Sequence, residues 1–164
     1  MISVAIAIAT AGIIVGAVAS TGLSNNLIII VEAIAGDSIV TLLLLTALLC
    51  IILGMGLPTT ANYLVVAALM AQVVVEVGGA AGYVFPLIAV HLYVFYYGLM
   101  ADVTPPVGLA SYAAAAISKA DPIQTGIQAF WYSLRTGILP LVFIFNSELL
   151  LIGIENIWHG IIVI

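Results

Sequence analysis

From Ser38 to Val75, and again from Val77 to Ala101, no side chain carries a charge, and none does in residues 1–31. Runs of that length leave few folds open. Crossing the hydrocarbon of a bilayer takes about 20 predominantly apolar residues, so each run can hold at least one membrane element. The whole composition agrees: 65% hydrophobic and 5% charged, against roughly half and a quarter in a soluble domain. The expected fold is all-α, a polytopic membrane protein.

Within those runs lie two sets of helix breakers, Gly54-Met-Gly-Leu-Pro-Thr-Thr60 and Asp102-Val-Thr-Pro-Pro-Val-Gly108. A broken helix frees backbone N–H and C=O groups, and each left unpaired in lipid costs several kcal/mol. Such breaks persist only where protein packs around them or where they line a polar cavity. Two of them, both bearing threonine, point to an ion or solute site of the kind found in secondary transporters.

The rest of the chain frames these breaks. Residues 2–20 read as a membrane helix whose small residues Gly12, Gly16 and Ser20 share one face. Thr21 to Asn26 reads as a turn, and Leu27–Ile34, too short to cross, as an interfacial or re-entrant piece. Residues 39–53 form a leucine-rich helix ending at the first break, and an apolar arm follows from Ala61 to Val77. The two arms make either a re-entrant hairpin or a span broken at mid-depth. Gly78 to Gly82 reads as a loop, and 83–101 as an aromatic-rich helix. An interfacial belt explains some of its aromatic residues but not a run through the middle. Asp121-Pro122 then opens an amphipathic helix, with Asp at the N-cap and Gln124 three residues on. Its apolar residues Ile123, Ile127, Phe130, Trp131 and Leu134 keep helical spacing. Lys119 and Arg135, the two cations, bracket it, which favours the cytoplasmic interface. Gly137–Phe145 reads as a separate apolar stretch kinked at Pro140. The chain stops inside the apolar run Ile161 to Ile164, as expected of a fragment of a longer protein.

Nine charged residues give a net charge of −5. They form no basic patch for nucleic acid and no polybasic segment for anionic lipid. Cys50 is the single cysteine, so internal disulfides and cysteine metal clusters are excluded, and a small buried apolar role is expected. The N-terminus lacks the basic start of a signal peptide. No nucleophile turn, zinc-protease motif or phosphate loop occurs, so no enzyme is expected.

At the first break, Gly54 and Gly56 permit backbone angles closed to other residues and Pro58 supplies no N–H. The helix restarting after Pro58 offers free N–H groups and a positive dipole end to an anionic group. Upstream carbonyls with the Thr59 and Thr60 hydroxyls can serve as oxygen ligands for Na⁺. A plain structural kink is the alternative, although it would not need two glycines, a proline, two threonines and Asn62 together. At the second break, Thr104-Pro105-Pro106 removes two donors in succession and pushes Thr104 away from helical angles. Its free carbonyls and the Thr104 hydroxyl suit a cation. Asp102 is either an intramembrane carboxylate, hence a functional suspect, or a surface residue beyond a completed span. His91 either relays protons or is a lone histidine bonded to a neighbouring backbone. Glu76, Glu148 and Glu155 are expected at interfaces.

Three ordered stretches, Gly54 to Tyr63, His91 to Gly98 and Ala101 to Gly108, closely resemble the large membrane subunit of tripartite ATP-independent periplasmic (TRAP) transporters, and best its TAXI branch, in which the membrane subunits are fused. Asp121-Pro122 through Gly126 and Phe143–Gly153 continue the likeness over nearly the whole chain, although the family pattern has proline after Asn146 where this chain has Ser147. The resemblance implies an inner-membrane, multi-pass permease that imports small organic acids such as C4-dicarboxylates, glutamate or 2-oxoglutarate. Na⁺ would be the coupling ion, an extracytoplasmic solute-binding protein would deliver substrate, and the rest of the permease and a small membrane subunit would be partners. It also implies an elevator-type fold, of which residues 1–164 hold about one inverted repeat from the C-terminal half. Carried over, Gly54, Gly56, Thr104 and Pro106 are Na⁺-site candidates, and Pro58, Thr59, Thr60 and Asn62 lie beside the substrate. The rival readings are a non-transporting membrane scaffold subunit and a proton-coupled carrier using His91 and Asp102.

Overall fold

Among the described residues six α-helices and two 3₁₀ turns have defined bounds, the described residues before Gly22 are helical as well, and no strand occurs. The helices are α1 (Leu23–Ala35), α2 (Ile39–Gly54), α3 (Thr59–Ala80), α4 (Leu87–Met100), α5 (Leu109–Ser118) and α6 (Pro122–Phe145); the 3₁₀ turns are Ala101–Val103 and Ser147–Leu150. The structure is a computed structural model that describes residues 6, 9, 12, 13, 16, 17, 20–36, 38–55, 59–154 and 156, with Ser24 and Thr59 described by backbone alone.

Two helices, α3 and α6, are long and apolar enough to cross a membrane. At 1.5 Å per residue they measure about 33 and 36 Å. Helices α2 and α4 are shorter, 16 and 14 residues, because the two breaks end them. Helix α2 is apolar around its whole circumference: Leu43, Ala47, Cys50 and Gly54 are buried, while Val40, Leu44, Leu48 and Ile52 form an exposed stripe. A helix with no polar face fits an apolar medium on its outer side. Ile88, Ile117, Trp131 and Ile138 extend that apolar exterior over the other helices.

Helices α2, α3 and α4 pack against one another, α1 covers α2 and α3, and α6 lies on α4 and α5. Their centre holds Leu42 and Leu43 of α2, Val66, Met70 and Val73 of α3, and Val90, Tyr93 and Val94 of α4, all fully buried. Between helices in lipid, close packing and hydrogen bonds must hold what water would otherwise drive together. The aromatic run of α4 answers to this need. Tyr93 donates its hydroxyl hydrogen to the Leu43 carbonyl, and Tyr97 donates to the Gly137 carbonyl at 2.7 Å. Tyr63, Phe95, Tyr96 and Phe143 meet edge to face.

The structure corrects several sequence expectations. The turn expected from Thr21 to Asn26 is confined to Gly22, and α1 runs from Leu23 through the piece expected at Leu27–Ile34. Gly78 and Gly79 are helical residues of α3, not loop, because the Phe85 ring lies where a side chain at 78 would go: a Cβ there would come within 2.8 Å of it. The turn comes instead at Gly82, whose φ of 86° only glycine adopts freely. The amphipathic helix opened by Asp121 does not stop near Arg135. It continues through Gly137 and Pro140 to Phe145 as one 24-residue helix. Pro140 deprives the Thr136 carbonyl of its helical donor, yet Tyr97, bonded to the adjacent Gly137 carbonyl, holds the segment against α4. Arg135 therefore lies about 20 Å along α6 from Pro122, and Lys119 and Arg135 do not mark one interface together. The small-residue stripe packs on nothing among the described residues: a Cβ at Gly12 or Gly16 would meet no atom within 4 Å. Cys50 is buried, as its apolar surroundings predict.

Candidate site at the paired helix breaks

Helix α2 ends at Gly54, where the capping Met55 N–H donates to the Ile52 carbonyl at 3.3 Å. Gly56 and Pro58 lie outside the described residues, as do the Thr59 side chain and Glu155. The chain resumes as α3 at Thr59. Thr60 is exposed at its first turn, whereas Asn62, two residues on, is 1% exposed.

The second break begins where α4 passes into the 3₁₀ turn Ala101–Val103. Thr104 is extended, at φ −82° and ψ 123°, and Pro105-Pro106 is a cis peptide. The freed carbonyls find donors locally. Thr104 Oγ1 donates to the Met100 carbonyl at 2.6 Å, Thr104 N–H to Ala101, Gly108 N–H to Thr104, Ser111 Oγ to Val103, and Tyr112 Oη to Pro106 at 2.9 Å. Each carbonyl keeps a second lone pair, and so does the Thr104 hydroxyl oxygen. Gly108 lets the loop close on itself, since a Cβ there would lie 2.9 Å from the Val103 carbonyl carbon. Gly126 lets α6 approach, a Cβ there falling 3.2 Å from Pro105. Thr104 and Asp102 are half-buried and Pro106 is exposed.

The two breaks meet. Helix α2 packs against the 3₁₀ turn of the second break, and Asn62 bridges the helices that lead into them. Its Nδ2 donates to the Gly98 carbonyl of α4. Its amide also fills the space where Gly54 would carry a side chain: a Cβ on Gly54 would lie 2.8 Å from Asn62 Cγ, and one on Gly98 would lie 3.4 Å from Oδ1. Asn62 Oδ1 is buried and accepts no hydrogen bond. The carboxyl ends of α2 and α4 thus converge on one amide at the amino end of α3.

His91 stands apart. Its Nδ1 is 3.1 Å from the Tyr63 hydroxyl, so its partner is a side chain, not the backbone. The two line a cleft of about 250 Å³ with Ile88, Leu92 and Phe95. His91 and Asp102 are eleven positions apart in the chain, about 16 Å along the helix. Asp102 keeps an interaction of its own. Gly98 and Tyr63, which complete the Asn62 and His91 contacts, were not singled out as site residues by the sequence, although both fall inside the stretches that carry the family resemblance. Among the described residues no group of three His, Cys, Asp or Glu side chains could hold a metal.

Among curated proteins, and among solved structures, none matches the chain. The family model described as "Tripartite ATP-independent periplasmic transporter, DctM component" matches residues 1–158. Paired breaks in an all-helical, apolar chain and a family match over nearly its whole length lead to one assignment: the chain belongs to the DctM family, the membrane permease component of TRAP transporters.

Proposed function

We infer that this chain is part of a TAXI-type permease, from its C-terminal half, that imports small organic acids across the inner membrane on the Na⁺ gradient. A soluble extracytoplasmic binding protein would deliver the substrate, and the other inverted repeat of the elevator, with a small membrane subunit, would complete the transporter. The convergence of the two breaks on Asn62 carries this reading. Carboxyl ends of helices bear a partial negative charge, roughly half an elementary charge each, and two of them meet here among apolar side chains. A cation relieves that repulsion. The backbone carbonyls at the two helix ends and the Thr104 hydroxyl, hard oxygen donors of the kind Na⁺ takes, support this reading.

Gly54 and Gly56 would offer carbonyls from the first break, and Thr104 and Pro106 a hydroxyl and a carbonyl from the second. Bound there, Na⁺ supplies positive charge between the helix ends. The amino end of α3, with Pro58, Thr59 and Thr60 before and within its first turn, faces the opposite way in charge and suits the carboxylate of the substrate.

The test is uptake by the full-length permease with its binding protein in proteoliposomes. Thr104→Val keeps the shape but removes one oxygen ligand, and is expected to weaken the dependence of uptake on Na⁺, while Asp102→Asn is milder. Uptake that persists without Na⁺, follows a pH gradient and ignores Thr104→Val would replace sodium by the proton, with His91 and Asp102 as the groups to examine.

A further inference from the structure

We propose that Asn62 is a positioning residue that links the two breaks mechanically, so that a change at one is transmitted to the other; the proposal rests on the cation reading above only for the identity of the ion. Three observations carry it. Asn62 is the fully buried polar side chain of α3, 1% exposed in a helix whose other buried residues are apolar or small. Its one hydrogen bond spans 36 residues to the last turn of α4, not to its own helix. Both glycines facing it, Gly54 and Gly98, leave room for the amide and for little else.

The geometry makes the amide a rigid strut. Moving the tip of α2 away from Gly98 opens a gap on one side of Asn62, and moving it closer drives backbone into the amide. Rotation of the amide is no escape, because the Gly98 carbonyl requires the NH₂ edge toward it. Residues that act as such a link bind neither substrate nor ion. Their loss lowers the mutual effect of the two sites, and coupling of this kind amounts to about 5–150-fold in affinity.

The experiment compares Asn62→Ala and Asn62→Asp in the full-length permease, reconstituted with its binding protein. Asn62→Ala is expected to raise the cation concentration for half-maximal uptake about tenfold, while the KM for the carboxylate substrate at saturating cation changes by less than about threefold. Asn62→Asp keeps the shape. Its carboxyl can donate to the Gly98 carbonyl only when protonated, so uptake should survive at acid pH and fall as pH rises, relative to wild type. Cys50 on α2, Tyr63 on α3, His91 and Tyr97 on α4, and Asp102 in the 3₁₀ turn could shift that carboxyl. All are common to both proteins, so a difference in profile reports position 62.

Half-saturation by the cation within twofold of wild type in Asn62→Ala, together with a wild-type pH profile in Asn62→Asp, would overturn the proposal. Should Asn62→Ala not reach the membrane, the Asn62→Asp profile decides alone. Wild-type uptake that ignores Na⁺ would remove the sodium assignment without touching the strut, because the Asn62→Asp profile is read without reference to the driving ion.

Discussion

Replacing Gly54 with alanine should be damaging in the wild-type protein and harmless once Asn62 is gone. The added Cβ would lie 2.8 Å from Asn62 Cγ, and the amide cannot yield without giving up its bond to Gly98. Forcing a methyl into a filled core costs about 1–3 kcal/mol. Leaving a buried donor and acceptor unpaired costs about 1–3 kcal/mol more. Alanine recovers about 1 kcal/mol at most through its helix propensity. The net penalty for Gly54→Ala is therefore about 1–5 kcal/mol. In an Asn62→Ala background the same methyl enters the space the amide has left, so the second substitution should be neutral or improve stability by up to about 1 kcal/mol. A double-mutant cycle on the full-length permease, followed by thermal unfolding in detergent, measures the difference. The coupling expected is at least about 1 kcal/mol, above the 0.3–0.5 kcal/mol or so by which independent sites depart from additivity. Penalties that simply add would show that Gly54 and Asn62 do not share the space the structure gives them.

The other close glycines should separate by what they touch. Gly108→Ala meets the backbone of Val103, which cannot step aside, and should cost about 1–3 kcal/mol. Gly137→Ala meets the Met100 sulfur at 3.0 Å, the end of a flexible side chain, and should cost under about 1 kcal/mol in the same melting assay. Tyr97→Phe removes the donor to the Gly137 carbonyl beside Pro140 and should cost about 0.5–1.5 kcal/mol; an unchanged melting curve would show that Pro140 needs no such support.

The breaks were legible because glycine, proline and threonine stand out within uncharged apolar sequence, and because a helix boundary is a local property. The same holds for the start of α6: Asp121 Oδ1 accepts the Gln124 N–H at 2.8 Å, as the order Asp-Pro-x-Gln implies. What the sequence misled on depends on distant neighbours. Gly78-Gly79 looks like a loop until the Phe85 ring is seen resting on it, and Gly137 with Pro140 looks like a boundary until Met100 and Tyr97 are seen against it. Small residues inside a helix serve close packing as readily as they end the helix, and only the partner tells which. Asn62 illustrates the limit within the site itself. The resemblance implies that it lies beside the substrate, and no local pattern announces its side-chain hydrogen bond to Gly98, 36 residues away.

The arrangement also bears on which ion would drive transport. A proton-coupled carrier needs a group that gains and loses charge where the moving parts meet. The meeting point here holds Gly54, Asn62, Gly98 and the 3₁₀ turn, and Asp102 in that turn is the carboxylate closest to it along the chain. His91, the other titratable group considered, is engaged with Tyr63 about 16 Å up α4, too far to share a proton with Asp102 through one hydrogen bond. What the junction has in quantity is backbone oxygen at two helix ends. Such oxygens do not titrate. On the sodium reading proposed above they would bind a hard cation through fixed dipoles, with a strength set by how closely the two breaks are held together, which makes the spacing set by Asn62 the property on which sodium coupling would turn.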